Sequence, residues 1–187
     1  MKQLTLSLII TAVFSSFALH AQDEAPKGIE GKKAPELYVS KWIQLPEGKE
    51  KMDVTDFEDK VLVILFFQFT TEYAHEEALP TLKKLVDKYK GNEDIGFLAI
   101  QAVGASRMEN TPDKLGVVAE KFELDIPIGH YVSVPEFPGI VGTYKPGASP
   151  WWVIIDQEGV VEWNGTYLDA DSATENLDKM LAGLPVD

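Results

Sequence analysis

The sequence predicts an α/β domain with a central mixed β-sheet flanked by helices on both faces. Three observations predict it. Val61 to Phe69 is apolar on both sides, the pattern of a central parallel strand covered above and below. The next segment sets Ala78, Leu79, Leu82, Leu85, Val86 and Tyr89 on one helical face, with its lysines largely opposite. Strand and helix patterns then alternate as β-α-β-α-β-β-α, an order that builds a mixed sheet with covering helices.

Each element has a local reason. Leu37 to Leu45 alternates loosely around Trp42 and reads as a short strand before a turn at Pro46-Glu47-Gly48. Asp56 to Lys60 is a polar approach to the first central strand, whose Phe66, Phe67 and Phe69 are core candidates. The first helix carries an early Pro80 and ends at Gly91. Ile95 to Ile100 reads as a second buried strand. Thr111-Pro112 has the form of an N-cap and first-turn proline, before the stripe Leu115, Val118, Ala119 and Phe122. Val132 to Pro146 is rich in Gly and Pro and assigns no element. Trp151 to Ile155 and Val160 to Trp163 flank Asp156-Gln157-Glu158-Gly159, which predicts a hairpin. Ser172 and Glu175 have capping-box spacing, ahead of a last helix with Ala173, Leu177, Met180 and Leu181 inward and a stop at Gly183.

The chain has 187 residues, no cysteine and a formal net charge of −13. Residues 1–21 read as a secretory signal: Lys2, an apolar stretch from Leu4 to Leu19, and a small Ala21 before polar Gln22. The expected division is signal peptide 1–21, linker 22–33 and one folded domain 34–187, with export to a periplasm expected. No other segment is apolar enough to span a bilayer. The negative charge disfavours nucleic acid and anionic lipid surfaces. Lack of cysteine excludes disulfide staples and cysteine-ligated zinc. Asn164-Gly165-Thr166 fits the glycosylation pattern, a three-residue word that is common by chance.

Several segments carry a resemblance to a known group. They are Gly31-Lys32-Lys33-Ala34-Pro35, the strand-to-helix segment with Leu79-Pro80-Thr81-Leu82, Ile126-Pro127-Ile128-Gly129-His130, and Gly147-Ala148-Ser149-Pro150-Trp151. In this order, from about Gly31 to Leu184, the chain resembles the thioredoxin-like redoxin superfamily, in particular TlpA-type thiol–disulfide oxidoreductases and alkyl hydroperoxide reductase-like proteins. The resemblance implies a thioredoxin-like fold, a Cys-x-x-Cys turn at a helix start that lowers a thiol pKa, and a cis-proline loop that holds the substrate chain. Ser149-Pro150 matches that loop, so Pro150 is expected to be cis. The lost cysteine positions fit two registers. Thioredoxin spacing back from Pro80 gives Glu72 and His75. Matching redoxins with a histidine after the second cysteine gives Thr71 and Ala74, the favoured register because Gln68 and His75 then also match. Both sulfurs are absent in either register, so disulfide exchange and thiol peroxidase chemistry are not carried over.

The remaining candidates divide between binding and catalysis. Tyr73, His75, Ser149, Pro150 and Trp151 are the expected lining of a groove for an extended peptide or an envelope protein. Trp151 and Trp152 point to opposite faces, with core packing expected for both and a groove position open to one. Thr71 offers a hydroxyl but no ordered base and acid partners, and threonine is an ordinary helix cap. His75 and His130, with Glu72, Glu76 and Glu77, would suit zinc or copper(II) if the His130 loop folds over the helix start. The expected function is an exported thioredoxin-fold protein without thiol redox activity, acting as a peptide- or protein-binding or scaffold domain and implying no cofactor. The alternatives are a non-thiol or metal-dependent enzyme using His75 and Glu72, a thiol–disulfide oxidoreductase by resemblance only, and a vestigial domain in an envelope assembly.

Overall fold

The structure, a computed structural model, describes residues 27–103, 108–132 and 139–186. The expected signal peptide and residues 22–26 of the expected linker lie outside the described residues. Among the described residues six strands form one sheet in the order β1-β4-β3-β2-β5-β6. They are β1 (Lys41–Ile43), β2 (Val61–Phe67), β3 (Ile95–Val103), β4 (Ile128–Val132), β5 (Trp151–Ile155) and β6 (Val161–Gly165). The strands β4, β3 and β2 run parallel, and β1, β5 and β6 add antiparallel partners. The all-apolar β2 takes the centre because every one of its residues is buried.

Side chains alternate across this sheet and build two cores. One face gathers Val63, Leu65, Phe67, Trp152 and Ile154 beneath α1 (Leu79–Lys88), α2 (Lys114–Lys121) and α4 (Ala170–Leu181). The other face gathers Leu62, Ile64, Phe66 and Trp151 beneath the N-terminal segment, a 3-10 turn at Val54–Phe57 and the five-residue α3 (Gly139–Thr143). Helices therefore lie on both faces, but unequally. Leu79, Leu82 and Leu85 are buried along α1, and each such side chain contributes about 1.5–3 kcal/mol by leaving water. Tyr89 donates its hydroxyl to Asp178 Oδ1 at 2.7 Å and so ties α1 to α4.

Four expectations are corrected. Residues 27–33 are not a free linker. Ile29 is buried, the Gly31 N–H donates to Val161 O at 2.8 Å, and the Val161 N–H donates to Lys32 O at 2.9 Å. The polar composition of the segment concealed an edge-covering strap whose glycines 28 and 31 turn the chain at φ 79 and 72. His130 lies in β4 rather than in a loop, an element the sequence pattern did not assign. Gly129 breaks the apolar run there, yet a Cβ would sit 2.8 Å from Val39 Cγ1. The second helix begins at Lys114, beyond Thr111-Pro112. The last helix is capped by Asp169, whose carboxylate accepts from the Ser172 N–H at 2.9 Å, rather than by Ser172 itself. Among the described residues no helix is long and apolar enough to cross a membrane.

Candidate functional site

The carboxyl ends of β2 and β3 meet the start of α1 and the turn before β5. When β2 leaves the sheet, the Phe69 N–H loses its ladder partner. Buried Asn110 replaces it, accepting from Phe69 N at 2.5 Å and donating Nδ2 to Thr70 Oγ1 at 3.3 Å. The turn then tightens: Thr71 N donates to Gln68 O at 3.1 Å, and Ala74 N to Thr71 O at 3.0 Å. Ala74–Ala78 form a π-turn, closed by Leu79 N–H donating to Ala74 O, before the regular helix α1. Such single turns hold one residue more than an α-turn and recur at functional sites.

The helix start has a closed inner side and an acidic outer side. Ala74 is fully buried in the helix-face core. Thr71, Tyr73 and His75 are half-buried, whereas Glu72, Glu76 and Glu77 are exposed. Carboxylates in the first turn suit the positive end of the helix dipole. His75 Nε2 donates to Phe69 O at 2.6 Å, and that carbonyl partner fixes the tautomer. Nδ1 then accepts from Lys121 Nζ at 3.4 Å. The ring stands edge-on to Phe69 and lies 5.7 Å from Phe122 between centroids. Both nitrogens of His75 are therefore occupied within the protein.

Tyr73 faces another way. It shares a depression of about 110 Å³ with Tyr167, Asp169 and Trp152 toward α4. Burial, then the nearby Tyr167 and Glu77, push its phenol pKa up.

The turn before β5 meets the end of β2 at a cavity that Gln68 and Ser149 both line. The Ser149–Pro150 peptide is cis. Trp152 packs on the helix face and Trp151 on the other, and both are buried, as alternation requires. Trp151 stands opposite Phe66 in the β2–β5 register. Its expected place in a groove is thus corrected: the ring fills the core, where it completes the packing over β2. Next to it lies a cavity of about 240 Å³ with Phe66, Ala102, Ile140 and Pro146 in its wall. Tyr131 and Ser149 also line it, and their hydroxyl groups are buried with no hydrogen-bond partner. The indole N–H of Trp151 is in the same state.

The two histidines do not form a shared centre with the carboxylates. His130 is buried in β4, with Nδ1 2.7 Å from Gln101 Oε1. Burial, and then the charge of Lys41, hold its pKa below the ordinary 6.5. Among the described residues no group of three or more His, Cys, Asp or Glu is placed to hold a metal ion. The structure also separates the expected groove residues, since Tyr73 faces α4, His75 faces α2 and Trp151 lies in the core. Ser149 and Pro150 remain at the turn. Asn110, Gln101 and Tyr131 had no signal in the sequence, because a polar residue in a loop or an isolated tyrosine in a strand has no distinctive spacing.

No family model and no curated protein matches this sequence. Solved structures do match. A thioredoxin-like superfamily protein aligns with a TM-score of 0.69 at 20% identity, covering 80% of this chain and 96% of its own. A thiol-disulfide isomerase from Corynebacterium glutamicum aligns with a TM-score of 0.68 at 18% identity, covering 80% and 96%. An uncharacterised conserved protein from Geobacillus kaustophilus aligns with a TM-score of 0.68 at 20% identity, covering 88% and 87%. The chain has the thioredoxin-like fold of these proteins, without a cysteine anywhere in its sequence.

Proposed function

We propose that this protein is an exported, redox-inert binding domain that holds an extended segment of a partner protein beside the Ser149–Pro150 turn. One observation carries the reading: the scaffold of a thiol site is present while every sulfur nucleophile is missing. Disulfide exchange requires a thiolate, and neither Thr71 nor Ala74 supplies one. The π-turn supports this register for the vacated positions. Counting back from Pro80 along a regular helix ends one residue late, at Glu72 and His75. Allowing for the extra residue of the Ala74–Ala78 turn gives Thr71 and Ala74. The engaged nitrogens of His75 and the exposure of Glu72 speak against an enzyme built on that pair.

The test has three arms. Insulin reduction and peroxide consumption with dithiol donors stay at the buffer rate. N-terminal sequencing of exported protein reads a start near Gln22. A partner captured from an envelope extract is cross-linked to the domain, and the linked peptide maps to the Ser149–Pro150 turn. Capture is lost in Ser149→Trp and retained in Glu120→Ala on the exposed side of α2. Cross-links confined to other surfaces, or equal capture by Ser149→Trp, overturn the binding reading. Redox activity above buffer overturns the inert one.

A further inference from the structure

The cavity beside the Ser149–Pro150 turn has the chemistry of a small-molecule site. Apolar side chains form much of its wall, while the Tyr131 hydroxyl and Ser149 Oγ are buried at it without partners. Trp151 Nε1, in the core of the same sheet face but not in the cavity wall, is also buried without a partner. Each orphaned donor costs about 1–3 kcal/mol, and folded proteins retain few of them. Tyr131 is held in this state by its surroundings. Gly139 has φ 63, and a Cβ there would lie 1.6 Å from the Tyr131 hydroxyl oxygen. Only a glycine allows that hydroxyl to occupy its position.

We propose that this cavity binds a small neutral molecule with an apolar body and a carbonyl oxygen. Both hydroxyls at the wall are free to donate, and one acceptor placed between them satisfies both. A carbonyl oxygen takes two such bonds. None of the described lining residues is charged. A buried carboxylate would lack a counter-charge, and the net charge of −13 repels anions at a distance. An ammonium group would find no carboxylate among the described lining residues. The volume of about 240 Å³ lies below the range of about 300–1,000 Å³ for drug-sized ligands, which fits a molecule of one ring. This site does not require the partner segment proposed above.

Isotope-labelled protein is titrated with benzamide, acetophenone, benzoate and benzylamine, and the Trp151 indole N–H is followed by NMR with the Ser149 and Tyr131 amides. Benzamide and acetophenone shift these signals saturably, with half-saturation near about 1 mM for ligands of this size. Benzoate and benzylamine bind at least about tenfold more weakly. Tyr131→Phe, which removes one oxygen and keeps the ring, weakens benzamide by about tenfold, and Ser149→Ala does so separately. No saturable shift from either neutral compound up to about 20 mM overturns the proposal. So does unchanged affinity in both variants, or tightest binding by a charged probe.

Discussion

The start of α1 and the turn before β5, the helix rim and the turn rim, treat their polar groups in opposite ways. At the helix rim the polar groups are satisfied: Asn110 closes the end of β2, His75 bridges Phe69 and Lys121, and Ala74 is sealed in the core. At the turn rim the Tyr131 and Ser149 hydroxyls are buried without partners at an open volume. The helix rim therefore has the energetics of a structural joint. The turn rim carries local cost of the kind that a bound partner relieves. The polar groups that bond within the protein and those left without partners thus lie on different elements.

The largest expected effect tests the helix rim. Thr71→Cys with Ala74→Cys restores a pair across one turn, where residues three apart have Cβ atoms about 5–6 Å from each other. The cap residue lets the pair close to disulfide range, and the helix start favours the first thiolate. This double variant oxidises readily and shows a lowered thiol pKa, whereas Glu72→Cys with His75→Cys does not. Glu72 is exposed and His75 is directed toward α2, so the control pair diverges. Thiol titration and mass spectrometry of both variants decide. Equal reactivity in the control pair would erase the register distinction.

Next in size is a contrast between two buried tyrosines beneath the same face. Tyr144 donates its hydroxyl to Pro35 O at 2.6 Å and is fully buried. Tyr144→Phe strands that carbonyl and costs about 1–3 kcal/mol. Tyr131→Phe removes a hydroxyl that has no partner, so it costs about 0 kcal/mol or stabilises the empty protein slightly. Urea unfolding of the two variants gives the difference directly. An equal loss in both would mean that Tyr131 is satisfied in solution and that the turn rim is not the costly one.

Sequence made the centre of this molecule legible and its margins less so. β2 and β5 were readable because unbroken apolar runs leave no other stable place than a central sheet. The cis turn followed from Ser149-Pro150 within a recognisable word. β4 escaped because Gly129 and His130 interrupt its pattern, and the need for Gly129 comes from Val39 and Trp42, which are remote in sequence. The strap at 27–33 escaped because its polar residues bond the edge of β6. Asn164 accepts from Ile29 N at 2.8 Å and donates to Glu30 at 2.9 Å. That clasp also gives Asn164 a structural use, whatever the glycosylation pattern suggests. The cavity could not be read at all, since its polar groups come from Gln68 after β2, from β4 and from the turn before β5, and meet only in the folded chain.

The smallest effect concerns His130, a candidate metal ligand that is buried in β4. Its pKa is held below the ordinary 6.5, first by burial and then by Lys41, its neighbour across the β1–β4 pair. The native state thus binds this proton less readily than the unfolded chain. Above about pH 6.5 both states are neutral at this residue and its contribution is fully present. As pH falls below that value the unfolded chain takes up the proton first, and native stability declines. The decline levels off once pH passes the lower native pKa. Unfolding measured from about pH 7.5 to about pH 5 should therefore slope downward with acid. His130→Gln keeps a polar partner for Gln101 and carries no titrating group, so the slope should flatten in that variant. Identical slopes in wild type and His130→Gln would place the acid sensitivity elsewhere, and the Gln101–His130 pair would then be an uncharged strut at every pH tested.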